Sequence, residues 1–169
     1  MLASPVLTLL PVMARNVFAM DAAGYSRLMA FSGAGAVVGA LGVAWLGRFN
    51  RMGSTVLGVQ IGLGLVLAAF ASSRSLPLSY ALLFVGSIGL MMSFSLLMSL
   101  VQLAAPDALR GRVVSIYMMA FRGGTPLGSL ATGFLVSHLS PSWVLAGNGL
   151  IMCLVGGTFL LLRQRVQLD

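Results

Sequence analysis

The chain has 169 residues, 59% of them hydrophobic and only 8% charged, and it carries a net charge of +7 with arginine as its basic residue throughout. Soluble domains hold roughly 25% charged residues, so this composition excludes a water-facing globule and names the lipid bilayer as solvent. No basic patch or aromatic-interleaved stripe is present, which excludes nucleic acid as a partner.

Charges and turn residues divide the chain in order. Residues 1–14 are a partial span, too short to cross alone. They lack the positive start of a signal peptide and are broken by Pro5 and Pro11, so they read as a membrane helix entered partway. A polar break follows at 15–27, with Arg15, Asn16, Asp21 and Arg27. A Gly-rich span at 28–47 leads into the short loop RFNRMG at 48–53. The next span is 54–72, and the loop SSRSLP, 72–77, places Pro77 where a helix starts. A long span covers 78–104. The loop APDALRGR at 105–112 precedes a span at 113–137, the loop SHLSPS at 137–142 a last span at 143–162, and RQRVQLD closes the chain. The expected fold is an all-α polytopic helical bundle with five full transmembrane helices and one partial, forming a single domain over residues 1–169.

Arg48, Arg51, Arg110, Arg112, Arg163 and Arg165 fall on one side of this alternation, and Arg15, Arg27 and Arg74 on the other. The positive-inside rule makes the first set cytoplasmic, and with it the C-terminus. Such short loops force neighbouring helices antiparallel, and close helix contact in lipid relies on small residues. Gly35 and Gly39 supply a GxxxG step that reads as packing. MAFSGAGAVVGAL at 29–41 is echoed by MAFRGGTPLGSL at 119–130, on spans of opposite direction. That is the pattern of a 3+3 inverted repeat. Cys153 reads as a small buried hydrophobe. No metal-ligand spacing and no HExxH or serine–histidine arrangement occurs, so neither an enzyme nor a cofactor or metal is expected.

The segments GRFNRMG, PDALRGRV and GGTPLGSLATG, together with LLPVMARNVF, resemble the C-terminal half of a major facilitator superfamily transporter. The likeness is to the enterobactin-exporter and macrolide-efflux branch, the transmembrane secretion effectors. It spans the whole chain and is most specific over 106–133. The resemblance implies half of a twelve-helix, proton-coupled exporter: helices seven to twelve, rocking against a missing N-terminal six-helix half in a bacterial cytoplasmic membrane. Its cargo would be a small amphipathic molecule, a drug or siderophore, exchanged for protons. The other expectation is a truncated, non-transporting membrane fragment or an assembly partner. The family's loop signature falls at 42–54, but its acidic residue is missing here. Gly123, Gly124, Pro126, Gly128 and Gly133 match the Gly/Pro-rich motif linked to antiport, and they read either as a rocking pivot or as a packing kink.

Among the charges, Asp107 suits a helix start and lies three residues from Arg110, within pairing reach. Asp107, Arg110 and Arg112 are either a cytoplasmic latch or a cap and topology anchor. Arg122 stands about 15 Å beyond Arg112, near the bilayer midplane. An arginine there costs at least about 2.5 kcal/mol. It therefore either faces a polar cavity, an anionic cargo group or a carboxylate of the missing half, or it snorkels. Met91, Met119 and Ser95 are the accompanying candidates for a pliable substrate surface. Gln60, Ser93, Ser95, Ser99, Gln102 and Asn148 are the other intramembrane polar residues; the serines can bond their own helix backbone, Gln102 reads as interfacial, and Gln60 lies on a span the family places at the periphery. His138 is read as an outer-loop residue.

Overall fold

A computed structural model of the chain describes residues 10–11, 21–47 and 52–166, and the side chains up to residue 159. The partial span 1–14 apart from Leu10 and Pro11, Arg15, Asn16, Arg48, Arg51, and the side chains of Arg163 and Arg165 lie outside the described residues.

Five long helices make up the described chain: α1 (Ala22–Leu46), α2 (Met52–Ser72), α3 (Leu76–Ala104), α4 (Arg110–His138) and α5 (Pro141–Val166). A single 3₁₀ turn, Asp107–Leu109, joins α3 to α4. Local chemistry sets the ends. The Asp21 carboxylate accepts a hydrogen bond from the Gly24 amide at 2.9 Å, satisfying one of the donors that a helix start leaves open. Gly47 closes α1 in a positive-φ conformation (φ 60°), its N–H donating to the Val43 carbonyl. Pro77 sits in the first turn of α3 and Pro141 opens α5, where a missing amide proton is harmless. Replacing Asp21 by alanine is expected to cost about 1 kcal/mol, read as a lowered midpoint in detergent thermal unfolding.

Two helix starts lie earlier than the apolar spans. α1 begins at Ala22, so Arg27 rides on the helix rather than in a polar break, and Arg110 and Arg112 form the first turn of α4 rather than the end of a loop. Charge marks where a helix leaves the hydrocarbon, whereas backbone hydrogen bonding continues until a cap or turn stops it.

Four helices are long and apolar enough to cross a membrane: Ala23–Leu46, Met52–Ser72, Leu76–Ala104 and Pro141–Phe159. α4 is as long as α3 but is not among them. Arg122 and the run of Gly, Thr, Pro and Ser after it dilute its hydropathy.

Small residues carry the two closest contacts. A Cβ on Gly35 would lie 2.3 Å from the Phe84 carbonyl oxygen, and one on Gly39 2.6 Å from that of Ile88. Along α1 and α3 these contacts advance together, so the two helices run parallel, and α2 packs against α3 in the opposite direction, with Gly86 near Val66 and Gly89 near Val59. The buried hydroxyls of Ser32 and Ser87 share a 2.8 Å hydrogen bond, and Phe31 stacks on Tyr80 at 4.9 Å. Between α2 and α5, Gly64 faces Gly149, and Cys153 donates to the Ile61 carbonyl at 3.5 Å. These pairs advance in opposite directions, so α2 and α5 are antiparallel. The main core gathers Leu28, Leu63, Leu67, Phe70, Leu83, Leu145 and Met152 around the fully buried Leu10.

α4 differs from the rest. It touches α3 and α5 at few points, and only Gly124 and Thr132 on it are buried. The helix runs unbroken through Pro126, which lacks the amide that would bond the Arg122 carbonyl. One residue earlier the Thr125 hydroxyl donates to the Phe121 carbonyl at 3.1 Å.

Candidate functional site

Because α4 stands off its neighbours, a cavity of about 530 Å³ opens between it and α2, α3 and α5. α2 contributes Gln60, α3 Ser93 and Phe94, α4 Tyr117 and Phe121, and α5 Phe159, with aliphatic side chains completing the wall. Phe94 and Phe121 bridge α3 to α4 with ring centroids 5.2 Å apart, and Tyr117 stacks one turn away from Phe121 at 6.3 Å. These rings are the chief contact holding α4 to α3 at this level.

The wall is apolar except for a few groups. Ser93 is buried, and its Oγ has no hydrogen-bond partner among the described residues. Asn148 on α5 is also buried with its Nδ2 unpartnered among them, but it does not line the cavity. An unpaired buried polar group costs about 1–3 kcal/mol.

The residues singled out from the sequence fall into three places. Arg122 is exposed on α4, next to Phe121 but outside the cavity lining, and has no carboxylate partner among the described residues. Met119 is exposed on the same helix, while Met91 and Ser95 are half-buried on α3 and do not line the cavity. In the Gly/Pro motif, Gly124 is buried. A Cβ added at Gly123 or Gly133 would meet nothing within 4 Å among the described residues. Pro126 is exposed and Gly128 half-buried.

At the end of α3, Arg110 Nη2 pairs with Asp107 Oδ1, and Arg110 Nε donates to the Gln102 carbonyl at 3.2 Å. The pair ties the 3₁₀ turn to the helix on either side. Asp107 also sets a negative charge beside the start of α4, where Arg110 and Arg112 would otherwise meet the positive dipole end unrelieved. All three are exposed, and exposed ion pairs contribute about 0–1 kcal/mol. Asp107→Asn is therefore expected to change thermal stability by less than about 1 kcal/mol; a larger loss would give the turn a structural role beyond the pair. At the far end of α4, His138 meets the edge of Phe134 at 5.0 Å.

Tyr117, Phe94, Phe121 and Phe159 were not singled out by sequence reasoning, and Gln60 was discounted. The available signal was Tyr117 and Phe121 at i, i+4, one helix face. Their neighbour Arg122 drew the attention instead. No group of His, Cys, Asp or Glu among the described residues could hold a metal ion.

The profile of one protein family, described as transmembrane secretion effector, matches residues 1–168. No curated protein and no solved structure matches the chain.

Proposed function

Since the chain belongs to the transmembrane secretion effector family of major facilitator type transporters, we propose that it is the C-terminal half of a secondary transporter that exports a small amphipathic molecule in exchange for protons. The observation that carries this reading is the family match over nearly the whole chain, joined to an arginine stranded in a lipid-length helix. The proposal includes five full spans and a partial one, a bacterial cytoplasmic membrane and a cytoplasmic C-terminus.

Two features support the half-transporter form. First, the echoed segments lie on α1 and α4, which run in opposite directions, as an inverted 3+3 repeat requires. Aligning them sets Arg122 where α1 has Ser32, and Thr125 and Ser129 where α1 has Gly35 and Gly39. On α1 that face is the one pressed on α3; on α4 it is polar and less covered, with Arg122 exposed and Thr125 and Ser129 half-buried. Second, α4 exposes Ile116, Met119, Leu127, Leu130 and Phe134, an apolar surface suited to lipid or a second six-helix half. A helix packed so sparsely can shift against the α1–α3 and α2–α5 pairs, which are locked by backbone contact.

The exchange works on charge. With no acidic side chain inside the five long helices among the described residues, the coupling carboxylate lies in the other half or in the cargo. Arg122 then pairs with that acid in one state and releases it in the other. Gly124 and Pro126 on the same helix give the bend that rocking needs.

Proteoliposomes carrying an imposed pH gradient test the reading, with erythromycin and enterobactin as cargo. The chain co-reconstituted with a six-helix N-terminal half is expected to move one of them, and a protonophore to stop it. Transport by the chain alone overturns the half-transporter form. No gradient-dependent movement with any partner half leaves the non-transporting fragment as the reading.

A further inference from the structure

We propose that the cavity between α2, α3, α4 and α5 binds an uncharged, ring-bearing organic molecule that carries one hydrogen-bonding group. The inference goes beyond transport, because it concerns equilibrium binding inside this bundle rather than at a surface facing another half.

Each part of the ligand follows from a part of the wall. The volume, about 530 Å³, falls within the roughly 300–1,000 Å³ typical of small-molecule sites. Phe94, Tyr117 and Phe121 form a connected run of rings along α3 and α4, with Phe159 contributed by α5. Aromatic groups gain from offset or edge contact with such rings beyond simple burial, so a flat ring fits better than a flexible chain. Ser93 lines the cavity and is 6% exposed, and its buried hydroxyl has no partner among the described residues. Gln60 lines it from α2. One hydrogen-bonding group on the ligand satisfies Ser93 once its hydroxyl turns about χ1 toward the cavity, with Gln60 on the neighbouring wall. No charged side chain is among the described lining residues, and a ligand ion buried there would lose its hydration without compensation. The ligand is therefore neutral. It enters from the bilayer, where such a molecule concentrates, through the side at which α4 and α5 make few contacts.

Two other occupants make weaker use of this wall. A lipid acyl chain fills volume but leaves the Ser93 hydroxyl unpaired and the rings unstacked. Residues 1–9, which precede the buried Leu10, offer no aromatic ring.

Benzophenone is the probe: neutral, two rings, one carbonyl acceptor, and photoreactive. The full chain in nanodiscs is irradiated with increasing benzophenone, and the labelled peptides are mapped by mass spectrometry against empty discs and against unlabelled benzhydrol as competitor. Expected is saturable labelling in the segments 90–97 and 117–121, suppressed by the competitor. Ser93→Ala should raise the half-saturating concentration about three- to ten-fold, and Ser93→Phe should abolish the saturable part by filling the cavity. Leu97→Trp is a second filler should Ser93→Phe not fold, and Leu41→Ala, on the far exposed side of α1, should change nothing. Labelling that is linear in probe, or equal in wild type and both filled variants, overturns the proposal and gives the cavity to lipid or to residues 1–9. Because no gradient or partner half is involved, a failure of transport leaves this result untouched, and the reverse holds as well.

Discussion

Replacing Arg122 by methionine is expected to cut transport at least ten-fold while the protein inserts and folds as before. The side chain lies on α4, about 18 Å from that helix's start at Arg110 by the rise per residue. Its cost at that depth is at least about 2.5 kcal/mol, so methionine should make insertion easier. Stability should change little, because Arg122 is exposed and pairs with no carboxylate among the described residues. On the proposed reading, a group that is costly to place and supports no fold contact acts through what it meets in the transport cycle. A ten-fold loss corresponds to about 1.4 kcal/mol, the scale of one charge-assisted hydrogen bond to a cargo anion or to an acid of the other half. Arg122→Lys should keep part of the activity, since it preserves the charge but not the planar fork. Gradient-driven uptake into inverted vesicles that also carry the six-helix N-terminal half, scaled to inserted protein, measures all three forms. Full transport by Arg122→Met would remove the residue from the mechanism and leave it a snorkelling surface group.

The all-helical character and the four membrane-length apolar helices were legible because lipid imposes long apolar runs. Helix starts were less legible. Asp21 looked like part of a polar break, yet a carboxylate accepting from the Gly24 amide is a cap, and the helix begins immediately after it. Arg110 and Arg112 likewise looked like loop residues because charge was used as the boundary. For α4 the sequence expectation was a span like the others; its arginine and its Gly, Thr, Pro and Ser run separate it from the four plainly apolar helices. The cavity was the least legible feature. It exists only because α4 stands apart, and no local pattern reports how far one helix lies from its neighbour. Gln60 was discounted on its span's expected peripheral place, although that span, α2, packs against both α3 and α5 and so reaches the interior.

The GxxxG step on α1 makes the second large prediction. Gly35→Ala and Gly39→Ala should each strongly destabilise the bundle, and Gly35→Leu should prevent its folding. A Cβ at position 35 would stand 2.3 Å from the Phe84 oxygen and 3.0 Å from the Phe84 carbonyl carbon. Those are backbone atoms of α3, so no side-chain rotation relieves the clash and the two helices must separate. Separation loses the dispersion contacts along the seam, the 2.8 Å Ser32–Ser87 hydrogen bond in a buried setting, and the stacking of Phe31 on Tyr80. Ordinary over-packing costs about 1–3 kcal/mol; here the strain is shared with a lost buried hydrogen bond, so the total should exceed that range. Gly33→Ala is the internal control. It lies on the same helix, a Cβ there meets nothing within 4 Å among the described residues, and alanine should add up to about 1 kcal/mol of helix propensity. Thermal unfolding in detergent should therefore order the proteins as Gly33→Ala at or above wild type, then Gly39→Ala, with Gly35→Ala lowest. If Gly35→Ala melts with wild type, the α1–α3 seam is not the rigid pair against which α4 is proposed to move, and the rocking scheme loses its fixed side.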